Sequence, residues 1–537
     1  MDKINKIDIV NKFIKFYNNA SDGYEKLKNF LEFAQITKKD FSLYFNNLQD
    51  LELCAREINE KEFEDYKLTP KVMGKYHQRA QEVILKYKRF IITSVVVGCE
   101  VDEKMLASID MYCRVNDAAL LILIAADPSA DSFKNFNGIL DKKLRNKTLI
   151  VQDVRLNNNC FLSAIKLSAK HIDPTTGLDR IGCRSGSFIY ASPKQRLKVV
   201  PISNSTTPHV IMTTGAITTP NYETQRYMSK RTSYIANHDH VMGGIVVEIK
   251  NEEIFHYRQI QSDDFGNIID LGVKYSSGCY EVISPKALVL GDLHAGETDH
   301  VAYNAWMMMS KKLKPEKIIV HDVFNGYSIN PHEDNQHILK SIKSEFGLLS
   351  LKSEIEALSL YLANMTEHTK EVIIVKSNHD LFLDSYLQQG KYVKDYINYK
   401  YALELALVLA NDEDPLKYAV EKFLSEDVKN KIRWLKLDED LLIDKVHCGN
   451  HGHIGPSGKR NPPISAIEKS YKYSVTAHSH APEILRGAYR VGTTSILNPA
   501  YRHGASSWLH TSCLIYNLNQ RQLINCIFGE YTTDKTK

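Results

Sequence analysis

The stretch ALVLGDLHAGETDH, residues 287–300, runs from four apolar residues through a glycine into Asp292 and His294. An apolar run bounded by Gly reads as a buried strand that ends in a loop. Alternate residues of an extended chain point to the same side, so Asp292 and His294 can face one point while Leu293 packs away. Two more apolar runs end in the same chemistry: KIIVHDVF reaches Asp322, and EVIIVKSNHD reaches Asn378, His379 and Asp380. Later, NHGH supplies His451 and His453, and AHSH supplies His478 and His480. Twelve of the 20 histidines lie between 294 and 480, a crowding at strand ends that a purely structural population would not show. Carboxylate, imidazole and amide oxygen together suit a hard-to-borderline divalent ion such as Mn²⁺, Fe²⁺ or Zn²⁺. No cysteine joins them, which argues against structural zinc. Such a set exceeds what one ion takes and fits two ions sharing a bridging carboxylate. Two ions about 3.5–4 Å apart can clamp a phosphoryl group and activate a water for in-line attack.

Residues this far apart can meet only if the fold gathers them. From Pro285 onward strand and helix patterns alternate, with HILKSIKSEFGLLSLKSEIEALSLYLANM as a long helical stretch between the second and third runs. That alternation predicts an α/β fold in which the carboxyl ends of the strands converge on one crevice. Shorter strands follow in KVHCGN, YSVTAHSH and YRVGTTS, and SCLIYNLNQRQLINCIFG reads as a hairpin turning at 517–519. Ahead of this part, residues 1–90 read as a helical N-terminal region, with YEKLKNFLEFAQ and LQDLELCAREINEKEFEDY carrying apolar residues at helical spacing around a turn-like ITKKDF. A helix-turn-helix is one reading of that segment; ordinary helix packing is the blander one. Residues 91–284 read as an α/β accessory domain, with strands in FIITSVVVGC, ALLILIAAD, KTLIVQDVRL, GSFIYASPKQRLKVVPI and VMGGIVVEI and a helix in LASIDMYCRVND. The third unit is 285–537.

Bulk properties narrow the class. Hydrophobic content of 43% and charged content of 25% are ordinary for a soluble globular chain. A net charge of +4 does not force a nucleic-acid partner, so any basic surface must be local. The longest apolar run, 118–126, is too short to span a bilayer, so no membrane partner is expected. Nine scattered cysteines without a CxxC suggest free thiols in a reducing cytoplasm.

Asp-x-His, a strand-end Asp, Asn-His-Asp, His-Gly-His and His-x-His, in that order, resemble the calcineurin-like metallophosphoesterases over roughly 285–500. The resemblance implies an αββα sandwich and a role for each matching residue. Asp292, His294 and His480 would bind a first metal, Asp322 would bridge, and Asn378, His451 and His478 would bind a second. His379 would donate to the phosphate or the leaving oxygen, with Asp380 orienting it. Two positions depart from the family pattern: His321 stands where a Gly usually precedes the bridging Asp, and Asn325 where a second Asp often follows it. His447 and His453 are the alternatives to His451. The two ions are read as Mn²⁺, with Mg²⁺, Fe²⁺ or Zn²⁺ as alternatives.

Other histidines have plainer readings. His300, His332 and His337 match no ligand position, and His238 and His240 read as a loop pair. Lys459 and Arg460, in GPSGKRNPP, could meet a substrate backbone or decorate a solvated turn. The family spans protein phosphatases, small-molecule phosphodiesterases and nucleases. A polynucleotide is favoured by the extra N-terminal half and by basic–aromatic mixtures in KYHQRAQEVILKYKRF and ETQRYMSKRTSY. The tail GAYRVGTTSILNPAYRHGASSWLHTSCLIY is similar to the ends of phage-encoded nuclease-type members. That likeness implies a metal-dependent DNase degrading host DNA in the bacterial cytoplasm, as a homo-oligomer. The alternatives are a phosphatase or small-molecule phosphodiesterase of the same fold, and a non-catalytic, metal-stabilised DNA-binding or scaffold protein.

Overall fold

The computed structural model describes residues 9, 12–13, 24–45, 50–51, 70–97, 99–125, 140–144, 146–167, 171–203, 207–222, 230–499 and 504–534. Most of the helical pattern at 48–66, the 223–229 part of ETQRYMSKRTSY and residues 500–503 of the tail lie outside them. The chain is a mixed α/β protein built on several sheets.

A six-stranded sheet carries the 285–537 part. Its order is Ile432–Trp434, Glu371–Val375, Lys317–His321, Ala287–Val289, Thr511–Ile515 and Arg521–Asn525. The first four strands are parallel, and the last two form the expected antiparallel hairpin. The period-two pattern of these strands serves two cores. Leu288, Ile318, Val320, Ile374 and Leu514 pack with Trp306, Leu358, Leu362 and Leu405 of the covering helices. Their neighbours Val289, Ile319, Ile373, Val375 and Cys513 face the other way, onto Val475, Ala477, Tyr489 and Val491 of a second sheet. The far face of that second sheet carries the helices Ile464–Ser470 and Asp179–Ser185. The layers therefore run helix, sheet, sheet, helix.

The second sheet has ten strands, and half of them precede position 284. Strands within 442–490 join those within 154–213 where Leu485 and Ile484 of one strand pair with Arg196 and Leu197 of another. The division expected at 284/285 is therefore not a break in the sheet. KTLIVQDVRL, expected as one strand, is two: Thr148–Ile150 ends a five-stranded sheet, and Val154–Asn157 opens the ten-stranded one. Asp153 makes the switch, its carboxylate accepting from the Ala164 N–H and the Ser163 hydroxyl. The long helical stretch at 337–365 is likewise two helices, His337–Glu345 and Leu351–Thr366. Gly347 separates them at φ 69°, and Ser350 caps the second. ITKKDF becomes a capping box at Thr37 and the five-residue helix Lys38–Ser42, and the second helix that a helix-turn-helix would need, at 48–66, lies almost wholly outside the described residues. Among the described residues, no helix is long and apolar enough to cross a membrane.

Candidate metal centre

Five strand ends meet at one buried point. The loop after Ala287–Val289 brings Asp292 and His294, and the residue after Lys317–His321 is Asp322. Asn378 and His379 follow Glu371–Val375, His451 follows Val446–His447, and His478 and His480 follow Ser474–Thr476. The two sheets approach closely here: a Cβ on Gly291 would lie 2.5 Å from the Gly492 carbonyl oxygen, so only glycine fits. His294, Asp322, His478 and His480 all have left-handed backbones, with φ of 46°, 48°, 77° and 58°. Four such residues in one cluster are strain that the surrounding packing holds in place, as is common at functional sites.

The donor atoms converge. Asp292, His294 and His480 each offer one ligand atom, all within 4.8 Å of one another, and so do Asp292, Asp322 and His451. His480 Nε2 lies 2.9 Å from Asp292 Oδ2 and 3.2 Å from His294 Nε2. Asp322 Oδ2 stands between the two halves, 3.7 Å from His294 Nε2 and 3.5 Å from His451 Nε2. Asn378 Oδ1 lies 3.0 Å from His451 Nε2.

Electrostatics suit this cluster to a cation. Asp292 and Asp322 are 0% and 1% exposed, and buried carboxylates need a counter-charge. Burial pushes both acids up, but His451 and His480 around Asp292, and His379, His294 and His451 around Asp322, hold both below the usual carboxylate range. Burial pushes His294 down to about 3, which leaves its lone pair free. His451 goes the other way: Asp292 and Asp322 together raise it against its own burial. Among the described residues, the buried Nδ1 atoms of His294, His451 and His480 have no hydrogen-bond partner. A convergent, buried set of ionised carboxylates and imidazole nitrogens fits a divalent ion.

His478 is the expected ligand placed differently. Its backbone N–H donates to Asp292, 3.1 Å from Oδ2, while its ring Nε2 lies 2.8 Å from Asn461 Oδ1. Its ring is 5.1 Å from that of His451. His453 packs beside both, at 5.3 and 6.0 Å. His447 is turned away to Asp440, 2.8 Å distant, so His451 is the histidine of that segment inside the cluster.

His379 lies at the edge, its ring 4.6 Å from that of His294, and its backbone N–H donates to Asp322 Oδ1 at 3.2 Å. The orienting role expected of Asp380 falls elsewhere. Asp380 is buried, and its carboxylate accepts the N–H groups of Phe324 and Ser377 at 3.1 and 2.9 Å, tying two strand-end loops together. The ring Nδ1 of His379 instead donates to the main-chain oxygen of Asn325, at 2.9 Å. The departure at position 325 therefore costs this contact nothing, because the backbone makes it.

Lys459 and Arg460 are exposed on the loop beside His453. Of the KYHQRAQEVILKYKRF stretch, Lys75, Lys86 and Lys88 are exposed, but Arg89 is buried and paired with Asp534 at 2.8 Å. His240 bonds Tyr222 and Thr218, each at 2.8 Å, and forms no metal pair with His238. Reading the sequence passed over Asn461, Ser377, whose hydroxyl accepts the Asp322 N–H at 2.7 Å, and Trp508, whose ring is 4.1 Å from that of His480. Only Asn461 had a signal, its place between two histidine segments.

No family model matches the chain, and no solved structure matches it. Over 468 residues it is 28% identical to Protein A1 of Escherichia phage T5, covering 83% of this chain and 83% of that protein. The likeness is a relationship to a phage protein, and it covers most of the length of both chains.

Proposed function

We propose that this phage-related chain is a dinuclear-metal nuclease of the calcineurin-like metallophosphoesterase type, hydrolysing DNA phosphodiester bonds to degrade host DNA in the infected cytoplasm, as an oligomer. The observation that carries the reading is the convergence of five ordered strand-end motifs on one buried carboxylate–imidazole–amide cluster. The helix–sheet–sheet–helix layering supports the fold assignment, and the relationship to a phage protein supports a role in an infected cell.

Asp292, His294 and His480 would hold one ion and Asn378, His451 and His478 the other, with Asp322 shared. When bound, such a pair supplies positive charge to the phosphoryl oxygens and a water acidic enough to attack near neutral pH. The chain's own groups do the rest. A carbonyl oxygen only accepts, so the Asn325 oxygen keeps the hydrogen of His379 on Nδ1. Nε2 is then the atom that holds or releases a proton, and it can donate to a phosphate oxygen or to the leaving oxygen. The His379 N–H on Asp322 fixes that imidazole to the shared carboxylate, so proton donor and metal centre keep one geometry. Lys459 and Arg460, exposed on the loop beside His453, would meet neighbouring phosphates.

Incubation with supercoiled and linear DNA in Mn²⁺, beside a generic phosphodiester dye ester, tests the reading. Wild type should degrade DNA, and His379→Ala and Asp322→Ala should not. DNA cleavage surviving both changes would overturn it. Turnover of the dye ester alone would leave a phosphodiesterase and remove DNA as the substrate.

A further inference from the structure

The segment 455–463 lies between His451 and the helix Ile464–Ser470 that leads to the His478 strand, and the reaction above uses only its exposed Lys459 and Arg460. Its backbone is tightly held. The Gly455 N–H donates to Lys459 O at 2.8 Å, and the Asn461 N–H donates to His453 O at 2.9 Å. A Cβ on Gly455 would lie 2.5 Å from the ring of Pro462. Arg490, 8% exposed in the strand below, donates through Nη2 to Pro462 O at 3.1 Å and through Nη1 to Glu483 at 3.3 Å. Asn461 itself is left-handed at φ 48°. The result is a rigid arm that ends with the Asn461 amide oxygen 2.8 Å from His478 Nε2.

We infer that Asn461 is a positioning residue that sets the tautomer of His478 for the second ion; this rests on the two-ion reading above. An amide oxygen only accepts, so Nε2 carries the ring hydrogen and Nδ1 keeps its lone pair. Nδ1 is the ring nitrogen on the backbone side, and the His478 backbone is the part seated on Asp292. The bond holds Nε2 on the arm, so Nδ1 is the nitrogen that would coordinate. Partners of this kind fix ring orientation and raise ligand basicity, and losing one typically weakens metal affinity. The loop takes its rigidity from Arg490 and Pro462, and so passes the position of the ten-stranded sheet to one imidazole.

The test is two-site Mn²⁺ titration calorimetry on the full chain, with the exchange-coupled dinuclear Mn²⁺ resonance as a spectroscopic readout. Asn461→Leu removes the acceptor at similar size. It should weaken the second binding step roughly 10- to 100-fold and suppress the coupled signal at limiting metal, with the first step unchanged. Asn461→Asp, whose oxygens also only accept, should keep both. An unchanged metal-free melting temperature in Asn461→Leu shows that the fold persists. Wild-type-like second-site binding by Asn461→Leu, or loss of it in Asn461→Asp, overturns the inference and leaves the two-ion reading intact. Wild type that binds fewer than two ions overturns both.

Discussion

Replacing Arg258 with Met should destabilise the folded chain by roughly 3–5 kcal/mol, the usual cost of removing one partner from a buried ion cluster. Arg258 is 1% exposed, and its Nε and Nη2 hold the two oxygens of Asp270 at 2.7 and 2.9 Å. Nη2 also binds Glu248 at 2.5 Å. The surroundings complete the cluster: Gln522 donates to Asp270 at 2.7 Å, and the Thr532 hydroxyl and Thr533 N–H donate to Glu248 at 2.8 and 2.6 Å. Strands of the five-stranded sheet are thus joined to the C-terminal hairpin and the residues after it. Without the guanidinium, two buried carboxylates would face Arg89, 3.5 Å from Glu248, as the remaining cation of the group. Urea unfolding at pH 7 reads the change as a shift in midpoint at constant slope. The pH dependence has a definite sign. Burial pushes Glu248 up, but Arg258 and Arg89 outweigh it and hold the acid below its ordinary 4.5. A depressed acid stabilises above its unfolded value, and that stability is lost as pH falls toward the folded one. The gap between wild type and Arg258→Met should therefore be widest near pH 7 and narrow in acid below about 4.5. A loss under about 1 kcal/mol at pH 7, or a gap that widens on acidification, would refute the reasoning.

Other expectations concern the centre and its supports. Glu354 is buried and pushed up to about 7 by burial, against the Ser328 hydroxyl and the N–H groups of Ser328 and Tyr327 that it accepts. A raised acid loses stability as pH climbs from its ordinary 4.5 to its folded value, by roughly 3 kcal/mol in all; Glu354→Gln should flatten the fall in melting temperature between pH 4.5 and 7, and an unchanged slope would count against it. Gly291→Ala forces a Cβ against the Gly492 oxygen and should lower both melting temperature and Mn²⁺ affinity; wild-type values for both would show that the loops can part cheaply. Asn325→Ala should leave turnover within a few-fold of wild type, because the backbone oxygen holds His379; a hundredfold drop would mean that the Asn325 side chain takes part.

The candidate site was legible because a cluster that could hold a metal at strand ends depends on residue type and order, and both are in the sequence. The rule that parallel strands point their carboxyl ends into one crevice brought Asp292, His294, Asp322, Asn378, His451 and His480 to one place, and the family resemblance chose His451 over His447 and His453. Asp380 was misjudged because adjacency to His379 says nothing about direction: the following helix turns its carboxylate back onto Phe324 and Ser377. The main-chain oxygen of Asn325 has no sequence signature at all. The ten-stranded sheet was illegible for a similar reason. Short strands at 154–213 look complete in themselves, and their pairing with 483–485 spans almost 300 residues with no local pattern to announce it. The break at Gly347 was visible as a glycine but was outweighed by the helical periodicity on either side.

The central claim is that one buried cluster holds two ions that share Asp322. The most direct measurement is the metal content per chain of protein equilibrated with Mn²⁺ and freed of excess, for wild type and Asp322→Asn. Two ions per chain in wild type, with the variant falling to one or none, is the expected result. A wild type that retains no ion, or an Asp322→Asn variant that retains both, would contradict it.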